Sequence, residues 1–164
     1  MPTMPISGND LARFSGPQTF MRLPEVKSAA DLDVGFIGIP MDIGTSWRSG
    51  TRMGPKQLRE QSAMIRPYNI QTGAAPFDAL YCADLGDVPI NTFSLSDTIR
   101  LITDTYDAHL KHDFIPMGLG GDHTMTLPIL RSIAKKHGPV ALVHVDAHAD
   151  VNDEMFGERE THGT

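Results

Sequence analysis

The sequence predicts an α/β fold of three layers, α/β/α, built on a mainly parallel sheet. Near-continuous apolar runs of strand length alternate with segments whose apolar residues fall at helical spacing. Strands buried on both faces read in this way because helices cover each side of a parallel sheet. The third observation is the position of the chemically dense motifs, which directly follow strand-like runs. In open α/β sheets functional groups gather beyond the carboxyl ends of strands.

Val34 to Pro40 reads as a buried strand ended by proline, and residues 41–54 as a loop rich in Gly, Ser and Thr. Pro55 suits a helix start, where its missing N–H costs nothing, and Lys56 to Met64 continues helically. The Gly/Pro-containing stretch Tyr68 to Asp78 reads as a surface loop. Leu80 to Leu85 is a second strand closed by Gly86. Ser96 is a candidate N-cap for a helix in which Ile99, Ile102, Tyr106 and Leu110 share one face, running to about Lys111. Phe114 to Leu119 is the third strand. The next helix, Thr126 to Lys136, places Leu127, Leu130, Ile133 and Ala134 on one face and stops at Gly138-Pro139. Val140 to Val143 then reads as a fourth strand. Gly157 to Thr164 carry no helix end, strand pairing or polar tail. A sheet closing on its most polar strand would leave an edge open, so a truncated chain is expected.

Composition narrows the function classes. With 164 residues, 40% hydrophobic and 21% charged, the chain has the make-up of one soluble domain with a sizeable core. A formal charge of -6, with no basic block beyond Lys135-Lys136, speaks against nucleic acid or an anionic membrane as partner. No apolar run approaches the roughly 18 residues of a membrane span. The first 25 residues, broken by Pro, Gly and Asn and carrying Asp10 and Glu25, resemble neither a signal nor a transit peptide. The one cysteine, Cys82, excludes disulfides within the chain and Cys-type zinc sites, and its apolar flanks suggest a buried thiol. A cytoplasmic protein is the expectation.

The densest chemistry lies in His144-Val145-Asp146-Ala147-His148-Ala149-Asp150. In an extended backbone alternate side chains share a face, so these imidazoles and carboxylates form a row of potential metal ligands. A second cluster, Gly118 to Thr124, ends the preceding strand and would set His123 against that row. Imidazole and carboxylate together suit a divalent first-row metal, Mn(II) over a thiolate-type zinc site. Carboxylates can bridge two ions, and uncompensated carboxylates would be costly to bury. His144 matches the row in parity but lies deeper, which favours a packed or supporting role. His109, His112 and His137 sit on or near helices and read as surface residues.

Other chemistries fit less well. The glycines at 118–121 are followed by His123 where a dinucleotide turn needs Gly or Ala, and no Gly-Lys-Ser/Thr is present. Close backbone approach around a metal site explains them better. There is no Gly-x-Ser-x-Gly elbow, and Cys82 has no evident activating partner.

Gly120-Gly121-Asp122-His123 followed by Asp146-Ala147-His148-Ala149-Asp150 resembles the paired metal signature of the ureohydrolases, the arginase and agmatinase family. The loop Gly44 to Pro55 is similar to that of the agmatinase branch, and Thr161-His162-Gly163-Thr164 resembles the segment after the second metal motif. The likeness covers most of residues 20–164. It implies an arginase-like fold, with residues 1–164 as the N-terminal portion of one ureohydrolase domain: a leader to residue 30, then the α/β core. It further implies that His123, Asp146, His148 and Asp150 ligate two Mn2+ ions whose bridging hydroxide attacks a guanidinium carbon, Asp150 counting among the catalytic groups. His162 matches a histidine that shuttles protons and meets substrate. Urea and an amine are the implied products, and a homo-oligomer the implied assembly.

The family's second Asp-x-Asp element and its guanidinium-binding acid have no counterpart here, since Asp153 is followed by Glu154 and Met155. The chain as written is therefore expected to bind metal weakly and turn over little. Asp150-Val151-Asn152 matches the arginase pattern in which the Asn helps hold a substrate carboxylate, and Ala149 to Gly157 is similar to guanidino-acid hydrolases, guanidinobutyrase in particular. A linear guanidino substrate is implied, 4-guanidinobutanoate first and agmatine second. The alternatives are a catalytically inactive metal-binding or interaction fragment of the same fold and, more remotely, a single-metal deacetylase of similar architecture.

Overall fold

The structure is a computed structural model describing residues 3–164, so the first two residues of the expected leader lie outside the described residues. Among the described residues three strands form one sheet in the order β2-β1-β3: β1 is Val34–Gly38, β2 Cys82–Asp87 and β3 Ile115–Leu119. Both pairings are parallel, Val34 lying opposite Cys82 on one side and Ile115 on the other. Four helices accompany them: α1 Gly54–Ser62, α2 Pro76–Ala79, α3 Leu95–His109 and α4 Thr126–His137.

The central strand explains the layering. Ile37 and Ile39 point into a core with Ile102, Tyr106 and Leu110, against which Ile129 and Ile133 also pack. Phe36 points the other way, into a second cluster with Leu23, Phe77, Cys82 and Leu119. This alternation buries both faces of β1, the reason its sequence reads as unbroken apolar. The α3/α4 pair covers one face, and Phe77 of α2 with Phe20, Met21 and Leu23 of the N-terminal segment covers the other. Leu23 and Ala29 are buried, so the last part of the expected leader is integral to the core. Cys82 is a buried free thiol whose acidity burial depresses, which keeps it inert.

Several local expectations are corrected. The cap of α3 is Ser94, whose hydroxyl accepts from the Asp97 N–H at 3.2 Å, two residues before Ser96. Gly86 does not close β2 but lies within it at φ +80°, where the register against β1 slips between Phe36 and Gly38. A glycine suits that left-handed bulge position. Tyr68 to Asp78 is not wholly a surface loop, because α2 begins at Pro76 and buries Phe77. On α4 the buried residues are Pro128 and Ser132, flanked by Ile129 and Ile133, while Ala134 is exposed. His112 and His137 are exposed as expected, but His109 is half-buried edge-on to Phe114, and burial lowers its pKa.

The largest correction concerns the fourth strand. Val140 to Val143 pair with nothing in the sheet, and Val143 is 88% and Val145 93% exposed. An apolar run becomes a strand only when a neighbour takes its backbone hydrogen bonds. Here β3 is an edge strand with Ile115 and Met117 exposed.

Candidate metal centre

The carboxyl ends of β1 and β3 are neighbours, and buried aspartates stitch the loops that leave them. The Ile39 N–H donates to the Leu119 carbonyl at 2.9 Å and the Asp122 N–H to the Met41 carbonyl at 2.8 Å. Asp122 Oδ1 accepts from the Thr124 N–H and hydroxyl, both at 2.7 Å, and its Oδ2 accepts from the Gly44 N–H at 3.0 Å. This carboxylate caps the turn His123–Met125 and holds the following histidine in place. Gly121, at φ +89°, sits so close to the Ile39 carbonyl that a Cβ would collide with it. Asp42 accepts from the Gly50 N–H and from Arg52 Nε, each at 2.6 Å. Its carboxyl is held below the usual range, chiefly by the Arg52 hydrogen bond.

His123 emerges from this scaffold with its ring oriented. Nδ1 lies 3.0 Å from the Thr126 hydroxyl, and Nε2 lies 3.4 Å from Asp150 Oδ2. The His144 ring is 5.0 Å from that of His123, and its Nε2 is 3.4 Å from Asp146 Oδ2. One ligand atom from each of His123, His144, Asp146 and Asp150 lies within 4.8 Å of all the others. Asp146 is held below its ordinary pKa first by the His148 N–H, which donates to Oδ1 at 2.8 Å. Among the described residues no Lys or Arg pairs with Asp146 or Asp150; the side chains beside their carboxylates are the histidines. Two imidazoles and two carboxylates without a cationic side chain make a donor set that fits a divalent metal.

The expected ligands are not all brought together. His123, Asp146 and Asp150 converge, whereas the His148 side chain is 80% exposed, with Nδ1 3.4 Å from Asp146 Oδ1. His144, expected to support the site, stands in the group instead. The reason is the backbone: residues 144–150 are not in strand conformation, and Asp150 adopts φ +47°, so the alternation that would align 146, 148 and 150 is lost.

His162 joins the site across 116 positions of sequence, its Nε2 3.3 Å from the Ser46 hydroxyl. It lines a cleft of about 360 Å3 with Trp47, Arg48 and His123. Its Nδ1 is buried with no partner among the described residues. Asn152 is occupied otherwise: its backbone N–H and its side-chain amide both donate to the Gly163 carbonyl, at 3.1 and 3.0 Å. It thereby ties the second metal motif to the segment carrying His162.

Asp42 and Asp122 brace the loops of the site and Asp84 braces the sheet through Arg59, roles that the sequence reading gave to none of them, although Asp122 stands in the first metal motif. Each stands inside or directly after an apolar run (Pro40-Met41-Asp42, Ala83-Asp84-Leu85, Gly121-Asp122), the available signal that a carboxylate is buried and hydrogen-bonded.

A parallel sheet with histidines and carboxylates converging beyond its carboxyl ends finds its counterpart among known proteins. The arginase family model matches residues 32–164, and the chain belongs to the arginase family. It is 62% identical over 163 residues to a guanidinobutyrase of Pseudomonas aeruginosa, a match covering 98% of this chain and 51% of that protein. It is 50% identical over 161 residues to a mitochondrial agmatinase of Gallus gallus, covering 98% and 47%. Among solved structures, proclavaminate amidino hydrolase from Streptomyces clavuligerus superposes with a TM-score of 0.85 at 40% identity, over 93% of this chain and 50% of that one. The chain spans about half the length of the curated relatives it matches.

Proposed function

We propose that this chain contributes the front half of a manganese-dependent ureohydrolase site that cleaves the guanidino group of a small linear substrate into urea and an amine. The observation that carries the reading is the convergence of His123, Asp146 and Asp150 beside a cleft into which His162 projects. Two Mn2+ ions held by His123, Asp146, His148 and Asp150 would supply a nucleophilic water at neutral pH and charge stabilisation for attack on a resonance-stabilised guanidinium. For His148 to join, residues 144–150 must straighten, as they would on gaining a strand partner, and His144 would then fall back to support the ring of His123.

The other roles belong to side chains in place. Thr126 fixes the orientation of His123 through Nδ1. Asp150 aligns His123 and contributes to catalysis as a carboxylate at the reacting centre. His162, on the wall of the cleft, is suited to deliver a proton to the departing amine nitrogen and to meet the substrate. Asn152 serves substrate binding through the loop it anchors. Relatives named guanidinobutyrase and agmatinase support a linear guanidino substrate, with 4-guanidinobutanoate first and agmatine second. We further infer a cytoplasmic homo-oligomer that binds neither nucleic acid nor membrane. Among the described residues no helix is long and apolar enough to cross a membrane.

The deciding experiment measures manganese binding and urea release in the complete polypeptide carrying this sequence. His148→Asn is expected to lower metal affinity by more than about tenfold and urea release with it, and His144→Asn to act more weakly. If His148→Asn retains full metal binding while His144→Asn loses it, the ligand set is the one in this structure and the straightening is wrong. If the polypeptide binds manganese but releases no urea from either substrate, the inactive metal-binding alternative replaces the enzyme.

A further inference from the structure

We propose that Arg22, with Arg13 and Arg66, forms a binding site for a small oxyanion at the end of α1 remote from the metal centre. Arg22 is 2% exposed, and its Nε, Nη1 and Nη2 are all buried without a hydrogen-bond partner among the described residues. A guanidinium keeps its charge at any pH a protein survives, so burial cannot be relieved by neutralisation. An uncompensated buried charge with five idle donors calls for an anion.

The surroundings are built for one. Arg22 lines a cleft of about 240 Å3 together with Arg13, Arg66, Ser7 and Asn9, and no acidic residue is among its walls. In a chain carrying 20 Asp plus Glu against 14 Lys plus Arg, three arginines around one acid-free cleft run against the overall charge. Arg13 spends Nη1 on the Ala63 carbonyl just past α1, offsetting the negative helix end that would repel an anion. A glycine makes room for the Arg13 guanidinium: a Cβ on Gly8 would press on Arg13 Nε at 2.8 Å. The Met21 N–H donates to the Ser62 hydroxyl at 2.7 Å and the Ile6 N–H to the Arg22 carbonyl, holding the segment against α1.

The site is separate from the metal centre. Gly54, at the start of α1, packs on the Gly120 carbonyl, while Ala63 and Arg66 follow its last turn. A nine-residue helix puts about 13 Å between those ends. The ligand chemistry is a compact oxyanion, phosphate-like or carboxylate, that the planar guanidinium fork can grip through two oxygens.

The test is denaturant unfolding of the intact chain with added phosphate, sulfate or acetate, each against chloride at equal ionic strength. A bound anion at a hundred times its dissociation constant shifts the unfolding equilibrium about a hundredfold. The wild type should show a saturable shift, absent in Arg22→Met and weakened several-fold in the exposed-rim variant Arg66→Gln, with manganese binding unaltered in both. The three anions tell a phosphate-like site from a carboxylate site. No saturable shift with any anion, or the same shift in wild type and both variants, overturns the proposal. So does self-association that Arg66→Gln abolishes without any anion effect, since a second copy would then supply the counter-charge.

Discussion

Val34–Gly38 and Val140–His144 are both apolar runs leading into loops that carry chemistry, yet one is the most buried strand of the molecule and the other lies open to solvent. The first has β2 and β3 on either side and helices above and below. The second has no sheet neighbour among the described residues, although the exposed edge of β3 with Ile115 and Met117 offers a seat. Hydrophobicity thus selects which segments can enter a sheet, and hydrogen-bond partners decide which do. The same contrast divides the candidate site. His123 stands on the secured side, its loop locked by Asp122 and its ring by Thr126, whereas Asp146 and His148 stand on the open side, hydrogen-bonded to each other, and Asp150 reaches across to His123.

The contrast can be broken most forcefully on the secured side. Asp84 is wholly buried and accepts from Arg59 Nε and Nη2, at 2.8 and 2.9 Å, and from the N–H groups of Phe20 and Gly86. Asp84→Ala leaves the buried Arg59 with Asp87 and the Gly86 carbonyl as its remaining partners and takes the acceptor from the Phe20 and Gly86 N–H groups, and should cost about 3–5 kcal/mol in urea unfolding. A loss below about 1 kcal/mol would show that water already screens the pair.

A direct comparison of the two runs comes next. Ile37→Ala removes a side chain buried on every side and should cost about 2–5 kcal/mol. Val143→Ala, at an 88% exposed position, should stay within about 0.5 kcal/mol. A complete polypeptide that seats residues 140–144 on β3 would raise the cost at Val143 toward that at Ile37, and equal small effects there would leave β3 as a true edge.

Acid offers the mildest probe. The Asp42 carboxyl titrates below its ordinary value in the folded chain because Arg52 and backbone N–H groups hold it. Its contribution is therefore complete above the unfolded value of about pH 4 and disappears as pH falls through the folded one. Protection of the Gly50 amide, measured against its intrinsic exchange rate at each pH, should fall on acidification over that interval, and Arg52→Met should move the onset to higher pH. Exchange indifferent to both changes would detach the ion pair from the stability of the loop.

Much of the fold was legible in the residues because period and punctuation are local. The apolar run of β1, the face of α3 with Ile99, Ile102, Tyr106 and Leu110, and Gly138 at the end of α4 each follow from neighbours within a few positions. The cap at Ser94 was displaced from Ser96 because both serines could serve and only the backbone entry angle separates them. On α4 Ile133 packs on the core as its spacing predicts, while Ala134 is exposed, because burial there depends on where α3 lies, which no periodicity states.

By itself the sequence determined an α/β architecture and the arginase-family motifs, and it singled out His123, Asp146 and Asp150, which the structure brings together, because those depend on residue type and short spacing. Tertiary structure alone decided that Asp42, Asp84 and Asp122 are buried braces, that His162 meets Ser46 across 116 positions, and that His144 displaces His148 in the donor group. The physical reason is that alternation along a strand holds only while a partner keeps the backbone extended. Residues 144–150 lack that partner among the described residues, so local turns take over and re-aim every second side chain.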